Sequence, residues 1–539
     1  MTEEITKQKK DHGLLRSSGV VSFFTMLSRF AGLARDVVFA RVIGAEALAD
    51  VFFVAFKIPN FFRRLFAEGA FAQSFVPILG EYRQRGTVAA VRELVSRVSG
   101  TLGITLILLT LIIVVASPVM AAIFAPKWYL HNPYKFAATA EMLRITFPYL
   151  LFISMTGVAA AVLNSYDRFA VPAVTPLLLN VCLIAAALLG APLFEQPAYA
   201  LAWGVLVAGI VQFAFQLPFL RSIHMLPMPV IDWQHSGVRK VLALMAPAIF
   251  GVSVSQINLL LDTMLATFLP TGSVSWLYYS DRLSELPLGV FGVAIATVIL
   301  PNLSRHHVGQ SSKAFSQTLD WALKMVLVIA IPAAVALMLL AEPILVTLFY
   351  YGEVMTSRDM AMAALSLRAY AAGLIAFMLI KVLAPGFFAR QDMRTPVRIG
   401  VIAMVSNMLL NLLLVIPLHS YWQIGHVGLA AATSLSAFIN ALLLFLSLRK
   451  QGIYQFSGLW MRFLISLIVS VSLMLMVLIL LLEQFGGVQA WQQYNGWQRI
   501  INMLLLCGSG FAVYMGCLFI TGFRLADMRG PVKATSDSN

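Results

Sequence analysis

Apolar residues fall into fourteen long runs along the chain, at roughly 17–43, 47–79, 98–124, 138–165, 170–193, 198–220, 240–269, 274–304, 318–349, 360–388, 396–418, 426–448, 460–483 and 498–522. Each reaches the roughly 20 residues a helix needs to cross a bilayer, and several exceed it, which predicts tilt or projection beyond the membrane. The polar gaps are short, which excludes a large extramembrane domain. The pattern predicts an all-α polytopic membrane protein with 14 transmembrane helices. Pro59, Pro287 and Pro385 lie in the second, eighth and tenth runs. Each should kink or break its helix and free a backbone carbonyl, which membrane depth tolerates only beside protein or a cavity.

The runs also pair at a spacing of about 224 residues: Pro77 with Pro301, Pro118 with Pro343, Pro172 with Pro396, and Gly204 with Gly428. The text ending at Asn180 resembles that between Pro385 and Asn407. Such a period marks an internal repeat. It divides the chain into a tail (1–16), an N-lobe (17–222, helices one to six), a C-lobe (237–450, helices seven to twelve), two additional helices (457–523) and a second tail (524–539). Six is even, so the lobes share one orientation, a parallel repeat about the membrane normal with a central cavity between them.

Composition agrees: 60% of residues are hydrophobic, 12% are charged and mean hydropathy is +0.85, too apolar for a soluble domain. The net charge of +14 invites a nucleic-acid reading, but its distribution opposes one. Most of the Lys and Arg outside the spans lie in one alternating set of loops, from Lys7, Lys9 and Lys10 through Arg83, Arg85, Arg239, Lys240 and Arg390 to Arg524 and Lys533. The positive-inside rule then puts both termini in the cytoplasm, which requires an even number of spans. The first fifteen residues are polar and basic, so the first span is expected to serve as its own insertion signal. Cys182, Cys507 and Cys517 lie in apolar runs and are expected to pack.

The chemistry lies in charges that membrane spans ordinarily exclude. Arg29, Arg35 and Asp36 fall in the first span; Asp50, Lys57, Arg63, Arg64 and Glu68 in or near the second; Asp281, Arg282 and Glu285 in the eighth. A cation at mid-bilayer costs at least about 2.5–3.5 kcal/mol on insertion scales, so these residues should face a watery cavity or a partner. Arg29 and Asp36 share a stripe at seven residues' spacing, with Arg35 on the adjoining face, leaving one cation in surplus. On a straight second helix Arg64 would join Asp50 and Lys57, but Pro59 interrupts the phase, so either Arg63 or Arg64 can face inward. Arg282 and Glu285 are neighbours at i,i+3. Guanidinium groups offer planar, bidentate donors to carboxylate or phosphate, so two Arg clusters suggest an anion cavity; latching ion pairs are the competing role.

A second polar set could hold a cation. Asp262 is a lone carboxylate in the seventh span, while Asn407 and Asn411 share a face of the eleventh. Carboxylate and amide oxygens suit Na⁺, and an interhelical hydrogen-bond bracket suits the asparagines equally. No phosphate-binding loop, H-E-x-x-H or paired-Cys spacing occurs, so neither ATP hydrolysis nor enzymatic metal chemistry has support. His306 and His307 fall in a cytoplasmic loop.

Four stretches carry a family resemblance: SRFAGLARDVVFARVIGA at Ser28–Ala45, ADVFFVAFKIPNFFRRLFAEGAFAQSFVPIL at Ala49–Leu79, SVSWLYYSDRLSELPLGVFGVAIATVILPNLS at Ser273–Ser304 and KVLAPGFFARQDMRTPV at Lys381–Val397. They closely resemble the MurJ (MviN) lipid II flippases of the multidrug/oligosaccharidyl-lipid/polysaccharide superfamily, over about residues 15 to 525. The resemblance implies a transporter, not an enzyme, in the bacterial inner membrane. It would move lipid II to the periplasmic leaflet by alternating access, alongside other cell-wall synthesis proteins. It implies two six-helix lobes and a polyprenyl-tail groove at helices thirteen and fourteen. The family's cavity arginines match Arg29, Arg35, Arg63 and Arg282, with Asp36, Asp50, Asn60 and Glu285 on matching polar positions. Asp262, Asn407 and Asn411 match a Na⁺ site of some relatives, but Asn411 replaces a carboxylate there, which leaves membrane potential as the other driving force. A multidrug/cation antiporter would favour carboxylates and aromatics over Arg. A flippase for another polyprenyl-diphosphate glycan would differ only in head-group contacts. A non-transporting scaffold would have no use for cations inside its spans.

Overall fold

A computed structural model describes residues 2–65, 71–292, 299, 302–304, 312–456 and 460–524, and within them every regular element is helical. Ten helices are long and apolar enough to cross a membrane, and they coincide with expected spans three to six and nine to fourteen. The other four expected spans fall on α1 (Thr2–Val42), α2 (Ala47–Arg63) with α3 (Ala72–Arg85), α11 (Ser236–Thr267), and α12 (Ser273–Pro287). Three of these four carry the ionic clusters, which lower local hydropathy, so the count of fourteen continues to rest on the sequence pattern. Glu68, Pro301, His306 and His307 lie outside the described residues.

The chain forms two compact units, Met1–Ser275 and Trp276–Asn539. The first contains α1 to α3, then α4 (Val88–Val115), α5 (Ser117–Phe124), α6 (Pro126–His131), α7 (Pro133–Thr146), α8 (Tyr149–Ser165), α9 (Ala170–Ala185), α10 (Pro197–Ser222) and α11. Helix α1 packs on α9, and α8 and α9 pack on α10. A core of Phe75, Leu79, Leu94, Val98, Val162 and Val238 joins α3, α4, α8 and α11. The seventh span, expected to open the C-lobe, therefore clusters with unit 1, because its apolar face lies on α3 and α4.

Pro59 cannot donate an N–H to the Ala55 carbonyl, yet α2 runs straight through it. The Thr146 hydroxyl of α7 supplies the missing bond at 3.2 Å, so the freed carbonyl faces protein. Pro287 ends α12 and is followed by a π-helical turn at Leu288–Gly292. Pro385 sits near the end of its helix, three residues before the last.

Unit 2 comprises most of α12, then α13 (Ser312–Leu339), α14 (Ala341–Phe349), α15 (Ser357–Phe388), α16 (Arg394–Trp422), α17 (Gly425–Lys450), α18 (Trp460–Gln484), α19 (Gly487–Gln493) and α20 (Gly496–Ile520). Leu319, Val326, Leu374, Met378, Leu444 and Leu448 form its core between α13, α15 and α17. Helices α18 and α20 pair, and the Tyr514 hydroxyl anchors α20 to the Val328 carbonyl of α13 at 2.6 Å. Arg499 is buried and, among the described residues, pairs with no carboxylate; it donates to the carbonyls of Trp491, Tyr350 and Gln492 at 3.1, 2.7 and 2.8 Å. Asp320 accepts from Tyr454 at 2.8 Å and pairs with Lys324 at 2.8 Å, tying the α17–α18 connection to α13. Burial and that carboxylate push the Tyr454 phenol up. Hydrogen bonds from Thr395 hold Asp392, ahead of α16, below the usual carboxylate range.

The repeat is visible in both units. A 28-residue helix (α4, α13) breaks and is followed by a short helix opened by Pro118 in one unit and Pro343 in the other. Gly204 and Gly428 also do one job: a Cβ on the first would sit 2.5 Å from the Ala186 Cβ, and on the second 2.9 Å from the Val415 nitrogen. Small residues let membrane helices approach this closely.

Candidate functional site

Of the three ionic residues named in the first span, Arg35 and Asp36 pair with each other and Arg29 does not join them. Arg35 and Asp36 are both buried. The Arg35 Nε and Nη2 donate to Asp36 Oδ1 at 3.0 and 2.7 Å, and Nη1 donates to Asn180 Oδ1 of α9 at 3.0 Å. Asn180 in turn donates to the Ser28 carbonyl at 3.0 Å, and the guanidinium lies 5.4 Å from the Phe39 ring centre. This arrangement locks α1 to α9. Arg29, half-buried on the same helix, makes no hydrogen bond or ion pair among the described residues. The surplus cation implied by the span's composition is therefore Arg29; Asp36 pairs with its neighbour Arg35, not with Arg29 one heptad away.

On α2, Arg63 is half-buried and donates from Nε to Asn60 Oδ1 at 3.1 Å, while Asn60 Nδ2 is held by the Phe56 carbonyl at 3.0 Å. Arg64 is exposed. Lys57 donates to Thr263 of α11 at 3.2 Å, one residue from the half-buried Asp262.

Asp50 accepts four hydrogen bonds among the described residues. Its Oδ2 accepts from the Gly272 amide at 2.8 Å and from Lys135 Nζ at 3.3 Å; its Oδ1 accepts from the Ser275 amide and hydroxyl at 3.0 and 2.7 Å. Lys135 also donates to Thr271 at 3.0 Å and lies 5.0 Å from the Trp128 ring centre. A carboxylate capping the N–H groups at 272–275 takes the favourable end of a helix dipole. Lys135 and Asn180 escaped the sequence reading: Lys135 falls just before the expected fourth span, and Asn180 stood out only as repeat text.

Within unit 2, Arg282 Nη1 donates to Glu285 Oε2 at 3.1 Å, and its guanidinium lies 5.2 Å from the Tyr278 ring centre. The two side chains are 36% and 45% exposed, so this pair is open to exchange in a way the buried Arg35–Asp36 pair is not. Asn407 and Asn411 are buried: Asn411 donates to Asn407 Oδ1 at 3.0 Å, and Asn407 donates to Thr433 and Ser436 of α17 at 3.5 Å. Their amides form an interhelical bracket between α16 and α17. No group of three or more His, Cys, Asp or Glu with metal-binding geometry occurs among the described residues.

The family model described as "Lipid II flippase MurJ" matches residues 39–492. A protein of Vibrio cholerae serotype O1 described as "Probable lipid II flippase MurJ" is 48% identical over 98% of this chain and 99% of its own length. A Burkholderia cenocepacia protein, "Lipid II flippase MurJ", is 42% identical over 96% of this chain and all of its own. Among solved structures, "Lipid II flippase MurJ, inward closed conformation" superposes with a TM-score of 0.76 at 25% identity, over 93% of this chain and 98% of that one. An inward-facing multidrug resistance transporter of the MATE family in the MOP superfamily shares the fold, with a TM-score of 0.63 at 14% identity.

Proposed function

This chain belongs to the MurJ family of lipid II flippases, and from that premise we propose that it moves lipid II from the cytoplasmic to the periplasmic leaflet of the inner membrane by alternating access. The observation that carries the residue assignment is Arg29, a half-buried cation inside a span with no hydrogen-bond or ion-pair partner among the described residues. A diphosphate supplies the partner it lacks. Within unit 2, Arg282 can exchange Glu285 for an anionic oxygen, with Tyr278 keeping the guanidinium plane in place. Within unit 1, Arg63, positioned by Asn60, adds a second cation to Arg29, while Arg35 contributes charge from a fixed position beside Asp36. The apolar tail stays in lipid against α18 and α20, whose outer faces expose Ile465, Ile468, Leu504 and Phe511. Fourteen crossings with both termini cytoplasmic place the basic loops on the side where lipid II is made.

Membrane potential drives the step in this reading. An inside-negative potential favours outward movement of an anionic head group by about 2.3 kcal/mol per charge per 100 mV. That is modest, so the cations must hold the head group loosely enough to release it. Lipid II exposure in cells should continue when external Na⁺ is replaced by K⁺ and stop when the potential is collapsed; dependence on Na⁺ would reverse that assignment.

The flippase reading is tested with this chain as the sole flippase under repressible control. After shut-off, lipid II should become inaccessible to a probe added on the periplasmic side, accumulate in the cytoplasmic leaflet, and the cells should lyse. Unchanged exposure and growth would show that the substrate is something else.

A further inference from the structure

Away from the ionic residues, unit 1 contains an apolar slot of about 390 Å³. Val98, Leu102 and Leu109 of α4 face Val241, Met245 and Ile249 of α11 across it, and Trp233 of the preceding loop completes the lining. The hydroxyls in its wall are already engaged: Thr105 donates to the Thr101 carbonyl at 2.7 Å, and Thr101 accepts from the Asp232 amide at 3.0 Å. The slot thus offers hydrocarbon contact without polar recognition. It is also preformed. The loop before α11 is strapped onto α4 by the Val230 amide to the Ser96 carbonyl at 3.1 Å, the Met228 amide to the Ser96 hydroxyl at 3.2 Å, and the Arg97–Asp232 ion pair. Gly100 admits this close approach, since a Cβ there would collide with the Val230 backbone.

Charge surrounds the N-terminal ends of the two helices. Arg97 is engaged by Glu93 and Asp232, and Lys240 lies 3.7 Å from Glu81. Arg92 on α4 and Arg239, next to the lining residue Val238 on α11, are exposed and make no hydrogen bond or ion pair among the described residues. Cations at that end and hydrocarbon beyond match an amphiphile with an anionic head. Size narrows the choice. At about 30 Å³ per methylene-sized unit, the share a water takes in the liquid, the slot holds roughly a dozen carbons, most of one fatty acyl chain and far less than a polyprenyl tail.

We infer that this slot binds one acyl chain of an anionic phospholipid, with Arg92 and Arg239 facing its phosphate. The orientation proposed above puts both helix N-termini at the cytoplasmic surface, so the ligand comes from the inner leaflet. Trp233 is the reporter. Purified full-length protein is titrated with phosphatidylglycerol brominated at mid-chain, and quenching is read as the difference between the parent and Trp233→Phe. Quenching should be saturable, and weaker by about ten-fold for brominated phosphatidylethanolamine, as two basic residues facing an anionic lipid imply. Ala246→Phe, which fills the slot, should abolish it. The surface double variant Arg92→Gln/Arg239→Gln, which leaves the core untouched, should remove only the head-group preference. Equal quenching by both lipids, or quenching that survives Ala246→Phe in folded protein, would overturn the proposal. Displacement of the brominated lipid by equimolar undecaprenyl phosphate would also overturn it, by assigning the slot to the substrate tail. These readouts require no transport and no knowledge of orientation, so a failure of the flippase reading in cells leaves them intact.

Discussion

Replacing Arg29 by alanine should reduce lipid II exposure on the periplasmic side by about 10- to 100-fold while leaving the protein folded and inserted. The magnitude follows from charge-assisted hydrogen bonds to a phosphate, worth about 1.5–3 kcal/mol. The separation of function from stability follows from geometry: Arg29 makes no side-chain hydrogen bond or ion pair among the described residues, so its removal breaks none. Arg29→Lys retains the charge without the bidentate fork and should fall between the two. Arg35→Ala is the contrasting control. It removes the partner of a buried Asp36 and the bonds to Asn180, so it should lower the melting temperature as well as transport. Periplasmic probe labelling and thermal unfolding of the purified variants, measured side by side, decide the matter. Normal exposure in Arg29→Ala would remove that residue from the substrate path.

Lys135→Ala should be the most destabilising single change, at about 3–5 kcal/mol, the usual cost of leaving a buried charge unpaired. Asp50 would keep the Gly272 and Ser275 donors but lose its only counter-ion among the described residues. Both side chains are buried, so the carboxylate left behind is poorly solvated. The double variant Asp50→Asn/Lys135→Met removes both charges and should recover a large part of the loss, since exchanging a whole buried pair costs far less than halving it. Thermal unfolding of the three variants provides the measurement. A Lys135→Ala protein as stable as its parent would mean that the pair contributes nothing.

The two substitutions separate what the sequence makes visible from what it hides. Arg29, Arg35, Arg63 and Arg282 were all legible, because a cation inside an apolar run stands out residue by residue. Their different roles were not. Arg35 and Arg29 look alike on a helical wheel; only Asn180, 145 residues away, draws Arg35 into a buried pair and leaves Arg29 open. The choice between Arg63 and Arg64 depended on a helix phase that Pro59 made unreadable; Arg63 is half-buried and bonded to Asn60, while Arg64 is exposed. Lys135 was hidden by its position at a span's edge, where a lysine ordinarily reaches water.

By itself the sequence determined that this is a helical membrane protein built on an internal repeat, which segments are apolar enough to cross, and which of them carry ions. Those properties follow from local transfer free energies and spacing, which each stretch possesses independently of the others. Only the tertiary structure decided that α11 packs with unit 1, that Thr146 satisfies the carbonyl freed by Pro59, and which cations are neutralised. The physical reason is distance along the chain. Asp50 meets its partners 85 and 225 residues away. The pairing energy of a charge depends on what folding brings beside it.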